Sequence, residues 1–189
     1  MFRSHACPFR AALAVLLLLS SHAALGCGDA EPVEIELRIT SDRGEGFDRL
    51  HRIRVHADGC VVVRRPPFHR EPGEFRARVD AERLAPLRQR LSDPALRAIN
   101  PQRALAQAQS ALQARSAAEG ELRRTYVSHP TGYVLRVGTG DEAVDLKVES
   151  IFQQVELYPG STDLLRLAEA IREVMALDAL PELAAEVSK

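Results

Sequence analysis

The sequence predicts a single α+β domain, with a sheet of about six mostly antiparallel strands, two main helices packed on one face and a peripheral helix rich in Ala and Gln. Two observations predict this class. Several segments alternate apolar and polar residues with a period of two, which is typical of strands buried on one face. Other segments repeat leucine at helical spacing. The order of elements is strands, helix, hairpin and helix.

Four strands are predicted in the first half of the chain. In the first, Val33, Ile35, Leu37 and Ile39 alternate with charged residues. A glycine-rich turn at 41–48 leads to the second strand. The predicted strands are 33–39, 49–57, 60–65 and 74–79.

The Asp58-Gly59 pair predicts a tight hairpin between the second and third strands. This dipeptide between apolar strands is typical of a two-residue type I′ turn. Such a turn places Ala57 opposite Cys60, and Cys60 then shares the apolar face with Ile53, Val55 and Val62, while His56 points to the other side. The predicted role of Cys60 is packing.

Helices follow the fourth strand. Asp80 is a predicted cap for a helix containing Leu84, Leu87 and Leu91, and Asp93-Pro94 starts a short continuation to Ile99. The segment 101–119 has high helix propensity but only two large apolar residues, Leu105 and Leu112. We expect it to lie at the periphery; a helix that binds a partner is the alternative.

The last part of the chain predicts a hairpin and the most amphipathic helix. The hairpin strands are 133–137 and 144–148, and Tyr158-Pro159-Gly160 then breaks the chain. Ser161 or Thr162 is the expected cap of this helix, whose apolar stripe consists of Leu164, Leu167, Ala168, Ile171, Val174 and Met175. Pro181 is expected to end the helix, and the tail to be helical or frayed.

The N-terminus carries the pattern of an export signal. Arg3 and Arg10 accompany an apolar run over 11–19, which is too short for the ~20 residues of a membrane-spanning helix and suited to a secretory signal. Ala24-Leu25-Gly26 then precedes Cys27. This arrangement resembles the signal peptide of bacterial lipoproteins. The alternative is plain secretion, with cleavage at an Ala-x-Ala-like site.

The lipoprotein resemblance implies that residues 1–26 are removed and that Cys27 becomes the first residue, carrying a diacylglyceryl thioether and an acylated amine. The divisions are then a signal peptide over 1–26, a tether over 27–32 and the domain over 33–189. A tether of five residues after Cys27 reaches roughly 17 Å, so the domain is expected to sit against the membrane. Gly28 follows Cys27, and the resemblance then favours the outer membrane, facing the periplasm.

Charge and cysteine content narrow the function. Loss of Arg3 and Arg10 moves the formal charge from −1 to −3, which argues against a nucleic-acid partner. The early strands are nevertheless rich in arginine, which indicates either solvated outer faces or contact with an anionic membrane. With Cys7 removed and Cys27 acylated, Cys60 is the only remaining thiol, so no internal disulfide is predicted.

No pattern of catalytic or metal-binding residues is found in the sequence. His56, Asp58 and Cys60 are close in sequence, but the predicted hairpin separates them, so no metal or cofactor is expected. His51, His56, His69 and His129 are interpreted as lone surface residues. There is no Gly-x-Ser-x-Gly motif, and Gly138-Thr139-Gly140 lies in a hairpin turn rather than before a helix.

The leading functional prediction is a lipid-anchored envelope protein that serves as a binding or structural module, with membrane lipid and another envelope protein as candidate partners. The order of elements is also distantly similar to the emfourin-type inhibitors of thermolysin-like proteases, with Ser41-Asp42-Arg43-Gly44 in the glycine-rich turn. That resemblance implies a periplasmic protease inhibitor as the alternative. An enzyme of unknown class is the third hypothesis.

Overall fold

The computed structural model describes residues 27, 31–41, 50–119 and 130–185. Its sheet has six main strands and a seventh of two residues, in the order β6-β5-β1-β2-β3-β4-β7, and every neighbouring pair is antiparallel. The strands are β1 Val33–Ser41, β2 His51–His56, β3 Cys60–Arg65, β4 Gly73–Arg78, β5 Thr131–Val137, β6 Val144–Glu149 and β7 Ala184–Ala185. The predicted α+β class is confirmed.

The helices lie beside this sheet, as predicted. Their bounds are α1 Ala81–Leu91, α2 Pro94–Arg97, α3 Pro101–Glu119, α4 Ile151–Leu157 and α5 Thr162–Ala176. Two short 3₁₀ turns, Gly140–Glu142 and Leu177–Ala179, complete the regular structure of the described residues. Helix α5 contacts the other four helices and β1, so the most amphipathic segment is also the one at the centre of the helical layer.

The hydrophobic core fills the space between the helices and one face of the sheet. Alternate residues of each strand point into it because successive side chains of a strand face opposite ways. The core includes side chains from both layers that are 0 % exposed: Leu37, Ile53 and Leu135 from the sheet, and Leu164 and Ile171 from α5. Burial of each such side chain contributes about 1.5–3 kcal/mol, so this single layer holds the domain together.

The predicted register of the β2–β3 hairpin is wrong by one residue. Ile53 pairs with Val63 and Val55 with Val61, so His56 stands opposite Cys60 across a three-residue loop. Gly59 adopts a left-handed conformation with φ +85°, and its N–H donates to the carbonyl oxygen of His56. The loop is one residue longer than a type I′ turn because Gly59 adds a position before the strands pair.

This shift exchanges the two faces of β3. Val61 and Val63 enter the core, while Cys60 and Val62 lie on the side away from the helices. The predicted packing of Cys60 with Ile53 and Val55 is therefore wrong, because a slip of one residue turns every side chain of a strand to the opposite face.

Three smaller predictions also differ from the structure. Helix α4 was not predicted, and the tail is not helical at Ala184–Ala185, which pairs with β4 as an edge strand. Asp80 and Ser161 occupy the N-cap positions of α1 and α5, but neither side chain makes a capping hydrogen bond. In the part of the chain that the structure describes, no helix has the length and apolarity needed to cross a membrane.

Candidate functional site: Cys27 and the open face of the sheet

Within the residues that the structure describes, helices cover one face of the sheet and not the other, which we call the open face. Side chains at alternate positions of each strand point to it, and the pairing register places them in rows across the sheet. One row contains Asp145, Arg136, Glu36, Arg54, Val62 and Arg76, and the next contains Lys147, Val134, Arg38, Arg52, Arg64 and Glu74. Most of the arginine side chains of β1–β4 therefore lie on the open face.

Cys27 lies on the open face, joined to Cys60 by a disulfide. The two Cα atoms are 5.3 Å apart, within the range that a disulfide spans. The carbonyl oxygen of Cys27 accepts a hydrogen bond of 2.9 Å from Arg76. Without lipid on Cys27 the domain thus has an internal disulfide, where none was predicted for an acylated Cys27, because the observed register brings Cys60 to the face on which Cys27 lies.

Two further residues of the predicted tether pack onto the same end of the sheet. The ring Nδ1 of His56 lies 2.8 Å from the carbonyl oxygen of Glu31, and the N–H of Ala57 donates to the carbonyl oxygen of Pro32. His56 and Cys60 are 1 % and 0 % exposed. The interpretation of His56 as a lone surface histidine is therefore wrong. At residues 31–32, therefore, the predicted tether is a packed part of the domain.

The predicted lipidation of Cys27 and the disulfide require the same atom. A thioether uses the Cys27 Sγ, which in this structure is bonded to Cys60. A chain that carries lipid on Cys27 therefore has Cys60 as a thiol. The predicted signal peptide over 1–26 lies outside the described residues, and lipidation of Cys27 stays a prediction.

A second polar cluster lies at the end of the sheet where the turn after α5 meets β2 and β3. Asp178 Oδ1 accepts a 2.7 Å hydrogen bond from Arg65 Nε, and Asp178 Oδ2 is 3.2 Å from His51 Nε2. Burial opposes ionisation of Asp178, but the bonds to His51 and Arg65 outweigh it and lower the pKa of this carboxyl. Arg65 also contacts Glu71 and stacks on the Phe75 ring.

This cluster corrects the interpretation of His51 as a lone surface histidine. Its side chain is 19 % exposed and is paired with a residue that lies far along the chain. No local signal in the sequence could have found the pair, because Asp178 is brought there by the whole helical layer. The contacts connect the Leu177–Ala179 turn to the sheet, so we assign the cluster a structural role.

The structure places His56 and Cys60 differently from the predicted hairpin. His56 and Cys60 share the open face, so their separation onto opposite faces was wrong. Asp58 accepts hydrogen bonds from the Cys60 N–H and from Arg78, which lower the pKa of its carboxyl, and Cys60 is in the disulfide. Within 27, 31–41, 50–119 and 130–185, no three His, Cys, Asp or Glu side chains are placed to hold a metal ion.

Helix α3 lines a cleft with the turn that precedes α5. The cleft has a volume of about 590 Å³, and its walls include Ala108, Leu112 and Arg115 on one side and Tyr158 and Asp163 on the other. Both charge signs are present, so the lining does not select a class of ligand. The peripheral position of α3 is confirmed; its proposed partner stays a prediction.

The protease-inhibitor alternative depends on a turn that lies mostly outside the described residues. Of the glycine-rich turn that carries the emfourin resemblance, only Ser41 lies among the described residues. Comparisons of the chain with protein-family models, with curated proteins and with solved structures found no match.

Proposed function

We propose that this chain is exported and acts as a binding or structural module at the surface of an envelope membrane, without catalysis of its own. The observation that carries the proposal is the position of Cys27 on the open face, where its carbonyl oxygen, an atom that lipidation leaves unchanged, accepts a hydrogen bond from Arg76. The opposite face of the sheet is filled by the core and covered by helices, so it is not accessible to a partner. The export-signal pattern before Cys27 supports delivery to the envelope.

Lipid on Cys27 is the proposed attachment, and the outer membrane is the proposed site. The Ala24-Leu25-Gly26-Cys27 sequence supports it by its resemblance to lipoproteins. Because both bonds use the Cys27 Sγ, attachment of lipid requires that the thioether form before β3 and β4 fold and bring Cys60 near. Two or more acyl chains give lasting attachment, because each buried methylene contributes about 0.8 kcal/mol. A Cys27 that escapes lipidation forms the disulfide.

Secretion without lipid is a second candidate, favoured by the disulfide itself. Disulfides persist in oxidising compartments such as the periplasm, and the Cα separation of 5.3 Å suits the bond. In this version the mature protein is free in solution, and the bond to Cys60 fixes its N-terminal segment to the sheet.

The two candidates are separated by labelling and mass measurement. We expect radiolabelled palmitate to enter the wild type and the Cys60→Ala variant equally, and not the Cys27→Ala variant. The intact mass of the mature wild type should include the lipid, and its denatured form should show one free thiol, at Cys60.

A released, unlabelled wild-type protein with no free thiol before reduction would overturn lipid attachment and support secretion. Equal labelling of the wild type and the Cys27→Ala variant would also contradict the proposal, since lipid would then be attached elsewhere.

A further inference from the structure

Three arginines occupy directly paired positions across the open face. Arg38 of β1 pairs with Arg52 of β2, and Arg52 pairs with Arg64 of β3. Like charges directly opposite one another destabilise a sheet. We call these three residues the arginine row. Its first two side chains are 36 % and 22 % exposed, so each is partly accessible from solvent, while the Nε atom of each is buried.

The carboxylates within the two rows of the open face are fewer than the arginines. Glu36 is shared between two members of the arginine row, with Oε1 at 3.3 Å from Arg52 Nε and Oε2 at 3.9 Å from Arg38 Nε. Glu74 bonds Arg76 at 2.6 Å and lies 4.0 Å from Arg54. On β1–β4 the two rows thus hold five arginines, two glutamates and Val62.

The surplus positive charge points to an anionic partner, and its layout indicates a surface rather than a single ion. Neighbouring strands are about 4.8 Å apart, so the arginine row extends over roughly 10 Å, more than one phosphate group spans. The row continues through Val134 to the exposed Lys147 on β6. Guanidinium groups bind phosphate oxygens through paired N–H donors.

We propose that the arginine row binds the phosphate groups of anionic lipids at the membrane surface. The inference rests on the proposed function, because Cys27 lies on the same face and an anchor there would bring the row to the headgroups. Each basic residue near an anionic surface strengthens association by about fivefold, which corresponds to ~1 kcal/mol. Attachment through Cys27 and binding through the row are nevertheless separate events.

The test is the binding of the full chain to vesicles of phosphatidylcholine alone or mixed with anionic phosphatidylglycerol. We expect the anionic lipid to strengthen binding of the wild type, and the Arg38→Gln/Arg52→Gln/Arg64→Gln variant to lose about 100-fold of that increment. The matched control, Arg83→Gln/Arg90→Gln/Arg103→Gln, removes the same amount of charge from the helices. This control should keep the full increase in binding that the anionic lipid causes. Both variants are first checked for a cooperative thermal unfolding transition; if the row variant does not fold, the Arg38→Gln single variant replaces it, with an expected loss of about fivefold.

If the two triple variants lost the same amount of binding to anionic vesicles, the proposal would be overturned, since net charge alone would then explain binding. Equal binding of the wild type to both vesicle types would also overturn it. Soluble inorganic polyphosphate serves as a further arm: binding as tight as to the anionic vesicles, and equally dependent on the row, would assign the row to a free polyanion. None of these results depends on palmitate labelling, so failure here is distinguishable from failure of the anchor.

Discussion

The sulfur atoms of Cys27 and Cys60 are bonded across the open face, which fixes the start of the described chain to β3. The bond closes a loop with a sequence separation of 33 residues. In the chain without lipid, we expect reduction to lower the free energy of unfolding by about 3–4 kcal/mol, because the crosslink restricts the unfolded chain.

Urea denaturation with and without dithiothreitol measures this effect. The Cys27→Ala/Cys60→Ala variant is the control and should be insensitive to the reductant. An unchanged midpoint for the unlipidated wild type would contradict the expected stabilisation.

Acid should weaken the domain through Asp178. Its pKa is lowered in the folded state, so the unfolded chain binds a proton more readily and stability falls as the pH drops below about 4. In Asp178→Asn the stability at pH 7 should be lower by about 1–3 kcal/mol, because Arg65 and His51 lose a carboxylate partner. The further loss between pH 5 and pH 3 should be smaller than in the wild type.

Chemical denaturation at pH 7, 5 and 3 tests this expectation. Asp141→Asn, an exposed change in the β5–β6 connection, is the matched control. Identical pH profiles for the wild type and Asp178→Asn would show that the cluster does not contribute to acid sensitivity.

Replacement of Gly59 should be costly. Its φ of +85° disfavours any side chain, and a Cβ at this position would lie 2.5 Å from the carbonyl oxygen of Val79. Because the Val79 N–H also donates to the Gly59 carbonyl, the clash cannot relax without loss of a hydrogen bond. We expect Gly59→Ala to destabilise the domain by about 1–3 kcal/mol.

Gly160→Ala provides the control for this substitution, since a Cβ at Gly160 would meet no atom of the described residues within 4 Å. Thermal unfolding of the two variants should show a clear drop in melting temperature for Gly59→Ala alone. A similar melting temperature for both would indicate that the β2–β3 loop differs from this structure.

Arg38→Gln should leave the domain at least as stable as the wild type. The substitution removes a charge that directly faces Arg52. The Nε atom of Arg38 lies 3.9 Å from Glu36 Oε2, which is too long for a hydrogen bond, so little attraction is lost. Solvent screens this exposed charge, so a gain of only a few tenths of a kcal/mol is expected at low salt. Melting temperatures at low and high salt measure it; a clear loss of stability would mean that the repulsion is compensated.

The sequence was a good guide to elements and a poor guide to their detailed register. The alternation in β1 and the leucine spacing of α1 were sufficient to predict a strand and a helix, because each pattern shows which residues of one element are buried. The Asp58-Gly59 pair indicated a hairpin correctly but not its loop length. That one residue decided the face of Cys60, and with it whether Cys60 lies within reach of Cys27.

The sequence alone determined the α+β class and the period of each main strand and helix, since these depend on neighbours along the chain; the pattern before Cys27 predicts export. The tertiary structure decided the strand order, the contact between Cys27 and Cys60, the pairing of His51 with Asp178 and the alignment of Arg38, Arg52 and Arg64. These relationships join residues that are distant in sequence, and only the register between strands and the packing of helices on the sheet set them.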